Sequence, residues 1–106
     1  MAGVADMTDR TLVFEDFADK VGEVFPICDE GVPAIPLILQ EAGPLDPAVG
    51  LPGVRPPFSL IFLGRDPRVL PQGVYLLEHQ ELGKLSIFLV PVGKDKDGVS
   101  YQAAFN

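Results

Sequence analysis

The stretch YLLEHQELG, residues 75–83, holds the chain's single histidine, His79, with Glu78 before it and Glu81 two places after. A histidine between carboxylates can serve acid–base catalysis or hold a metal, provided the partners share one side of the backbone. In an extended strand Glu78 points to the face opposite His79. Glu81 has the right parity only if the strand runs on through Gln80, and the Leu82-Gly83 pair signals a turn instead. A zinc site takes three or four ligands, which one histidine and one cysteine cannot supply without several carboxylates. The favoured reading is therefore structural. His79 ends a strand, bonds a neighbouring carbonyl or carboxylate and holds the ELG turn. His79 with Glu81 stays as the candidate polar site, and no catalytic, cofactor-binding or metal-ligating set is assigned.

The other chemistry-bearing residues fall short in their own ways. Cys28 could be a nucleophile only if folding brought it to His79. Asp29 and Glu30 beside it disfavour a thiolate, so a buried or half-buried structural cysteine is expected. Ser59, Ser86 and Ser100 lie in strand-like runs, none in a G-x-S-x-G elbow. No G-K-[ST] phosphate loop occurs. GKDKDG offers Asp95, Asp97 and Gly98 at the third, fifth and sixth positions of a calcium loop. Gly93 and Ala104 then fall at the first and twelfth positions, where ligands are needed. Arg65, Asp66 and Arg68 form a charged turn for which local pairing is expected, contributing little to stability.

What must position these residues is one domain. The chain has 106 residues and 47% hydrophobic residues, enough for a core. Eleven glycines and eleven prolines argue for short strands and turns rather than a helical bundle. A net charge of −7 repels phosphate backbones and anionic lipid, so neither nucleic acid nor a membrane is the expected partner. No apolar run reaches the length of a membrane span, and MAGVADMTDR lacks the features of a signal peptide. A cytoplasmic location is the expectation.

Residues 1–10 read as a flexible tail, and residues 11–106 as the domain. Phe14, Phe17, Ala18 and Val21 have i, i+3, i+4, i+7 spacing. This predicts a helix of two to three turns, with Glu15, Asp16, Asp19 and Lys20 facing away and Gly22 closing it. The pattern then turns extended. EVFPICD (23–29) carries Pro26 and so makes an edge or bulged strand. AIPLILQEA (34–42) carries Pro36. FSLIFLG (58–64), GVYLLEH (73–79), KLSIFLVPV (84–92) and GVSYQAAF (98–105) are strands separated by RDPRVLPQ, ELG and GKDKD. Asp97-Gly98 marks a hairpin. Val99, Tyr101, Ala103 and Phe105 share one face of the last strand. KLSIFLVPV is apolar on both sides except at Ser86, which predicts a central strand covered on both faces. The fold class is mainly β: a small antiparallel barrel of about six strands with one short N-terminal helix. An open sandwich is the alternative.

Between the second and third strands lies GPLDPAVGLPGVRPP, residues 43–57, with five prolines and three glycines. Its Leu45, Val49, Leu51 and Val54 are too apolar for a plain linker. With Arg55 they make the candidate interaction surface.

QGVYLLEHQELGKLSIFLVPVG followed by YQAAFN resembles the DUF6916 family, whose members pair Q-G-x-Y-x-x-x-H-x-x-L-G with F-L-V-P-V-G and end in A-x-F-N. FADKVG at Phe17–Gly22 fits the family's start. The resemblance implies a compact bacterial β domain and supplies no catalytic residues. It sets such domains alongside phage-tail-like or collar-type proteins. The leading expectation is a non-catalytic protein-interaction or assembly module whose partner is another protein or a second copy. The runner-up is a small-molecule binder or small enzyme with its pocket at the barrel mouth near His79.

Overall fold

The computed structural model describes residues 12–44 and 57–105. The interaction surface expected at Leu45, Val49, Leu51, Val54 and Arg55 lies outside the described residues, as does the tail at 1–10.

A one-turn helix, α1 (Glu15–Ala18), precedes six strands: β1 (Val24–Pro26), β2 (Pro36–Pro44), β3 (Phe58–Gly64), β4 (Gly73–His79), β5 (Gly83–Asp95) and β6 (Gly98–Phe105). All pairings are antiparallel, in the order β1-β2-β3-β6-β5-β4. The sheet curls into a nearly closed barrel, since Ile27 just past β1 bridges Leu77 of β4, at the far end of the strand order. Among the described residues no helix is long and apolar enough to cross a membrane.

Alternation along the strands fills the interior. Leu37 and Leu39 of β2, Leu60 and Phe62 of β3, Leu77 of β4, Leu85 and Leu89 of β5 and Tyr101 of β6 are buried. The expected inward face of β6 holds: Val99, Tyr101 and Ala103 are buried, and Phe105 packs against the core half-buried. The prolines of β1 and β2 sit at strand ends. Pro36 is the first residue of β2, and Pro26 ends β1, an end strand of the sheet.

The expected helix is shortened to one turn. Val21, its predicted fourth apolar position, is 50% exposed, while Lys20, predicted to face away, is only 8% exposed. The cause is competition from the sheet. Gly22 turns the chain at φ +93° and donates its N–H to the Leu39 carbonyl, and Leu39 donates back to Glu23. Residues after Asp19 are thus recruited by β2 before a second turn can form. What remains delivers Phe17, fully buried, to one end of the barrel. Its ring meets Phe25, Phe58 and Phe105 at centroid distances of 6.2, 5.9 and 5.9 Å.

Two further expectations are corrected. β5 is covered on one face only. Leu85, Ile87 and Leu89 point inward, but Ser86 is exposed and Phe88 is 49% exposed, because the outer face of the barrel meets solvent there. Gly43 and Pro44, assigned to the proline-rich loop, instead extend β2 and pair with Ser59 and Phe58. β5 also outruns its predicted end, pairing Lys94 with Val99 and Asp95 with Gly98 up to a two-residue turn.

Gly98 is the first residue of β6 rather than part of that turn. Its φ is +137°, and a Cβ there would lie 2.2 Å from the Gly64 carbonyl oxygen. Glycine is needed at this position for close backbone approach as much as for conformation.

Candidate functional site

The site around His79 is the seam of the barrel. Antiparallel pairing of Ile27 with Leu77 sets Pro26 opposite Glu78. Proline has no N–H to give the Glu78 carbonyl, so the ladder between β1 and β4 cannot propagate past this point. Above the bridge, Cys28 donates its N–H to the Leu76 carbonyl at 2.8 Å, and the Asp29 carboxylate accepts the Leu76 N–H at 3.1 Å. Below it, side chains take over from the backbone.

His79, the last residue of β4, is 3% exposed, its ring stacked on Phe25 at 4.6 Å. Nδ1 accepts the backbone N–H groups of Glu81 at 3.1 Å and Leu82 at 3.3 Å. A nitrogen accepting two N–H donors carries no proton, so Nε2 carries it and donates to Glu23 Oε1 at 2.6 Å. One ring therefore ties the β4–β5 turn to the start of β1.

The expected structural role of His79, at a strand end and bonded to the turn and a carboxylate, is what the geometry shows. Glu81 does approach the ring, though by a different route from strand parity. The strand stops at His79, and the turn folds the next residues back, so that ligand atoms of Glu23, His79 and Glu81 lie within 4.8 Å of one another. Glu78 faces outward, as alternation requires.

That trio is short of a metal site for a chemical reason. Ligation through Nε2 would need the proton moved to Nδ1, where the Glu81 and Leu82 N–H groups already point. The carboxylates also face a resident cation. The Lys20 ammonium bonds Asp19 at 2.9 Å and is held above its ordinary pKa chiefly by that bond, with Glu81 and Glu23 adding to it. The same groups are spent for acid–base work, since neither imidazole nitrogen is free for a substrate.

Glu23 escaped the sequence reading. It lies 56 positions from His79, in one of fifteen acidic residues, and no local pattern distinguishes it. An open depression of about 610 Å³ lies over the seam, lined by Gly22, Glu23, Val24, Pro26, Glu78, His79 and Gln80.

Cys28 corrects another expectation, because it is exposed rather than buried or half-buried. Its Sγ lies 3.5 Å from the Leu76 carbonyl oxygen on the outside of the seam, away from the bonded faces of His79, so the two do not form a nucleophile–base pair. Asp95 does turn duty, accepting the Asp97 N–H at 2.8 Å. In the 65–68 turn, Arg68 donates from Nε and Nη2 to Asp66 at 2.9 and 2.6 Å, holding the Asp66 carboxyl down at about 2. Two tyrosines pin the following loop: Tyr101 Oη accepts the Leu70 N–H at 3.0 Å, and Tyr75 donates to the Pro71 carbonyl.

Residues 12–105 match the sequence profile of a family described as a domain of unknown function, DUF6916. Comparison with curated proteins and with solved structures finds no match. The match spans every strand of the barrel and the seam that closes it, so the chain belongs to the DUF6916 family.

Proposed function

We propose that this chain is a non-catalytic protein-interaction or assembly module acting in the bacterial cytoplasm, with a phage-tail-like assembly as its setting. The observation carrying this reading is on the outer face of the β4–β5 pair. Val74 and Phe88 sit opposite each other across the strands, 63% and 49% exposed. Single exposed apolar residues are ordinary; here a cross-strand pair is flanked by the half-buried Leu76 and Val90, so that four apolar side chains adjoin on one outer face. The chain's one histidine is committed to holding the barrel beneath at its seam.

The test is affinity capture from the native host with wild-type protein and with the double variant Val74→Lys/Phe88→Lys, followed by titration of the captured protein in purified form. Direct binding lost in the variant supports the reading. Binding of equal strength by both proteins removes its basis.

A second reading rests on the depression over the seam. Glu23, Glu78 and Gln80 with an apolar floor of Val24 and Pro26 suit a small polar ligand. A metabolite that raises the melting temperature of wild type but not of Glu78→Ala would move the function there.

A further inference from the structure

The two nitrogens of His79 face different partners, and only one of them tolerates a change of charge. Nδ1 accepts the Glu81 and Leu82 N–H groups, which it does only while it carries no proton. Nε2–H is held by the Glu23 carboxylate at 2.6 Å, a partner suited to the ring in either charge state. Histidine is the side chain that ordinarily changes charge between about pH 5 and pH 8. A second proton has only Nδ1 to land on. There it leaves the tie to β1 intact and sets three N–H groups against one another at the turn.

A replacement partner stands ready. The carboxylates of Glu81 and Glu23 both lie within 4.8 Å of a ring nitrogen. Glu81 is exposed, which gives its side chain room to swing, whereas Leu82 is anchored in the core. The charged groups around the ring are Glu23 on β1, Glu81 in the turn, and Asp19 and Lys20 after α1. Three of these are acids, and the Lys20 ammonium is bonded to Asp19 at 2.9 Å. Glu78 and its cross-strand neighbour Lys84 lie on the outer face of the β4–β5 pair. Phe25, stacked on the ring at 4.6 Å, adds no charge and offers a cation its π-face.

We infer that the seam is a two-state latch worked by acid. In one state the neutral ring anchors the turn by its backbone. In the other, the ring carries a proton on each nitrogen and bridges two carboxylates, Glu23 and Glu81, while the Glu81 and Leu82 N–H groups are released. Three bonds to the ring become two, but both are charge-assisted, which keeps the two arrangements exchangeable. Glu23, His79 and Gln80 line the depression over the seam, so the exchange reshapes its rim.

NMR on the full chain labelled with ¹⁵N, in about 0.15 M salt between about pH 8 and pH 5, tests this. The ring should pass from one protonated nitrogen to two. The Glu81 and Leu82 amide signals should move with the same midpoint, and their protection from hydrogen exchange should fall at least about tenfold. Glu81→Gln keeps the backbone donor but removes the replacement partner, so the amide transition should shift to lower pH. Glu41→Gln takes the same charge from an exposed position on β2 and should leave the transition in place. A ring that keeps a single proton until the barrel unfolds, followed by circular dichroism, overturns the inference. So does a ring that gains its second proton with both amides unmoved. Equal shifts in Glu81→Gln and Glu41→Gln refute the exchange of partners, and the second state with it.

Discussion

Glu23 and His79, 56 positions apart in the chain, meet at 2.6 Å and close the barrel where its backbone cannot. Pro26 stops the β1–β4 ladder one residue from its bridge, and the imidazole spans the remaining gap to a carboxylate on one side and a tight turn on the other.

Removing the ring should cost more than removing its acid. His79→Ala leaves two backbone N–H groups without an acceptor and opens a hole beside Phe25, for a loss of about 3 kcal/mol in urea unfolding. Glu23→Gln keeps an acceptor for Nε2 and should cost about 1 kcal/mol or less. Equal losses for the two variants would show that the turn bonds to Nδ1 contribute nothing. Zinc should not raise the melting temperature of wild type in a His79-dependent way. If it does, the ring is a ligand.

Two glycines of positive φ should respond differently to alanine. Gly22 has φ +93° and open space around its would-be Cβ, so Gly22→Ala carries only the conformational cost, about 1 kcal/mol. At Gly98 the added carbon would lie 2.2 Å from one backbone atom of the 64–65 segment and 2.9 Å from another. Backbone must move there, and Gly98→Ala should cost about 3 kcal/mol or more. Thermal melts that rank the two variants the other way would refute the close approach of β6 to the end of β3.

Tyr75 should make the protein sensitive to alkali. Burial pushes its hydroxyl above the ordinary value of 10.0, with Tyr101 and Asp29 adding to the rise. The folded state therefore keeps this proton where the unfolded chain releases it. The contribution to stability is complete below pH 10 and is lost as pH rises through the higher folded value. Urea unfolding on either side of that range should show stability falling with pH, and Tyr75→Phe should remove that part of the slope. An unchanged slope in Tyr75→Phe would place the sensitivity elsewhere.

Asp66 should titrate near 2, as the hydrogen bonds from Arg68 hold its carboxylate in the charged form. The contribution of the pair is present above the unfolded value of 3.8 and is lost as pH falls through about 2. Carboxyl carbon NMR should find that midpoint, and Arg68→Gln should raise it toward the usual carboxylate range, with the part of the lowering that comes from the backbone N–H of residue 68 retained. A midpoint unaffected by Arg68→Gln would mean the fork does not persist in solution.

The sequence by itself determined the strands. Period-two alternation and turn residues bounded β3, β4 and β6 to the residue, because those signals are local: one side chain per face, and glycine or proline where the chain reverses. The proline-marked segments were legible as strands for the same reason. Tertiary structure decided what depended on distant neighbours. Helix α1 ends after one turn because β2, which begins at Pro36, offers Leu39 to the backbone of Gly22 and Glu23. The apolar run of β5 cannot say which of its faces will be covered, and the barrel leaves Phe88 in water. His79 could be recognised as a strand end and a turn anchor from its own segment. Its partner could not, since fifteen acids were available and only the curl of the sheet brings Glu23 across the gap left by Pro26.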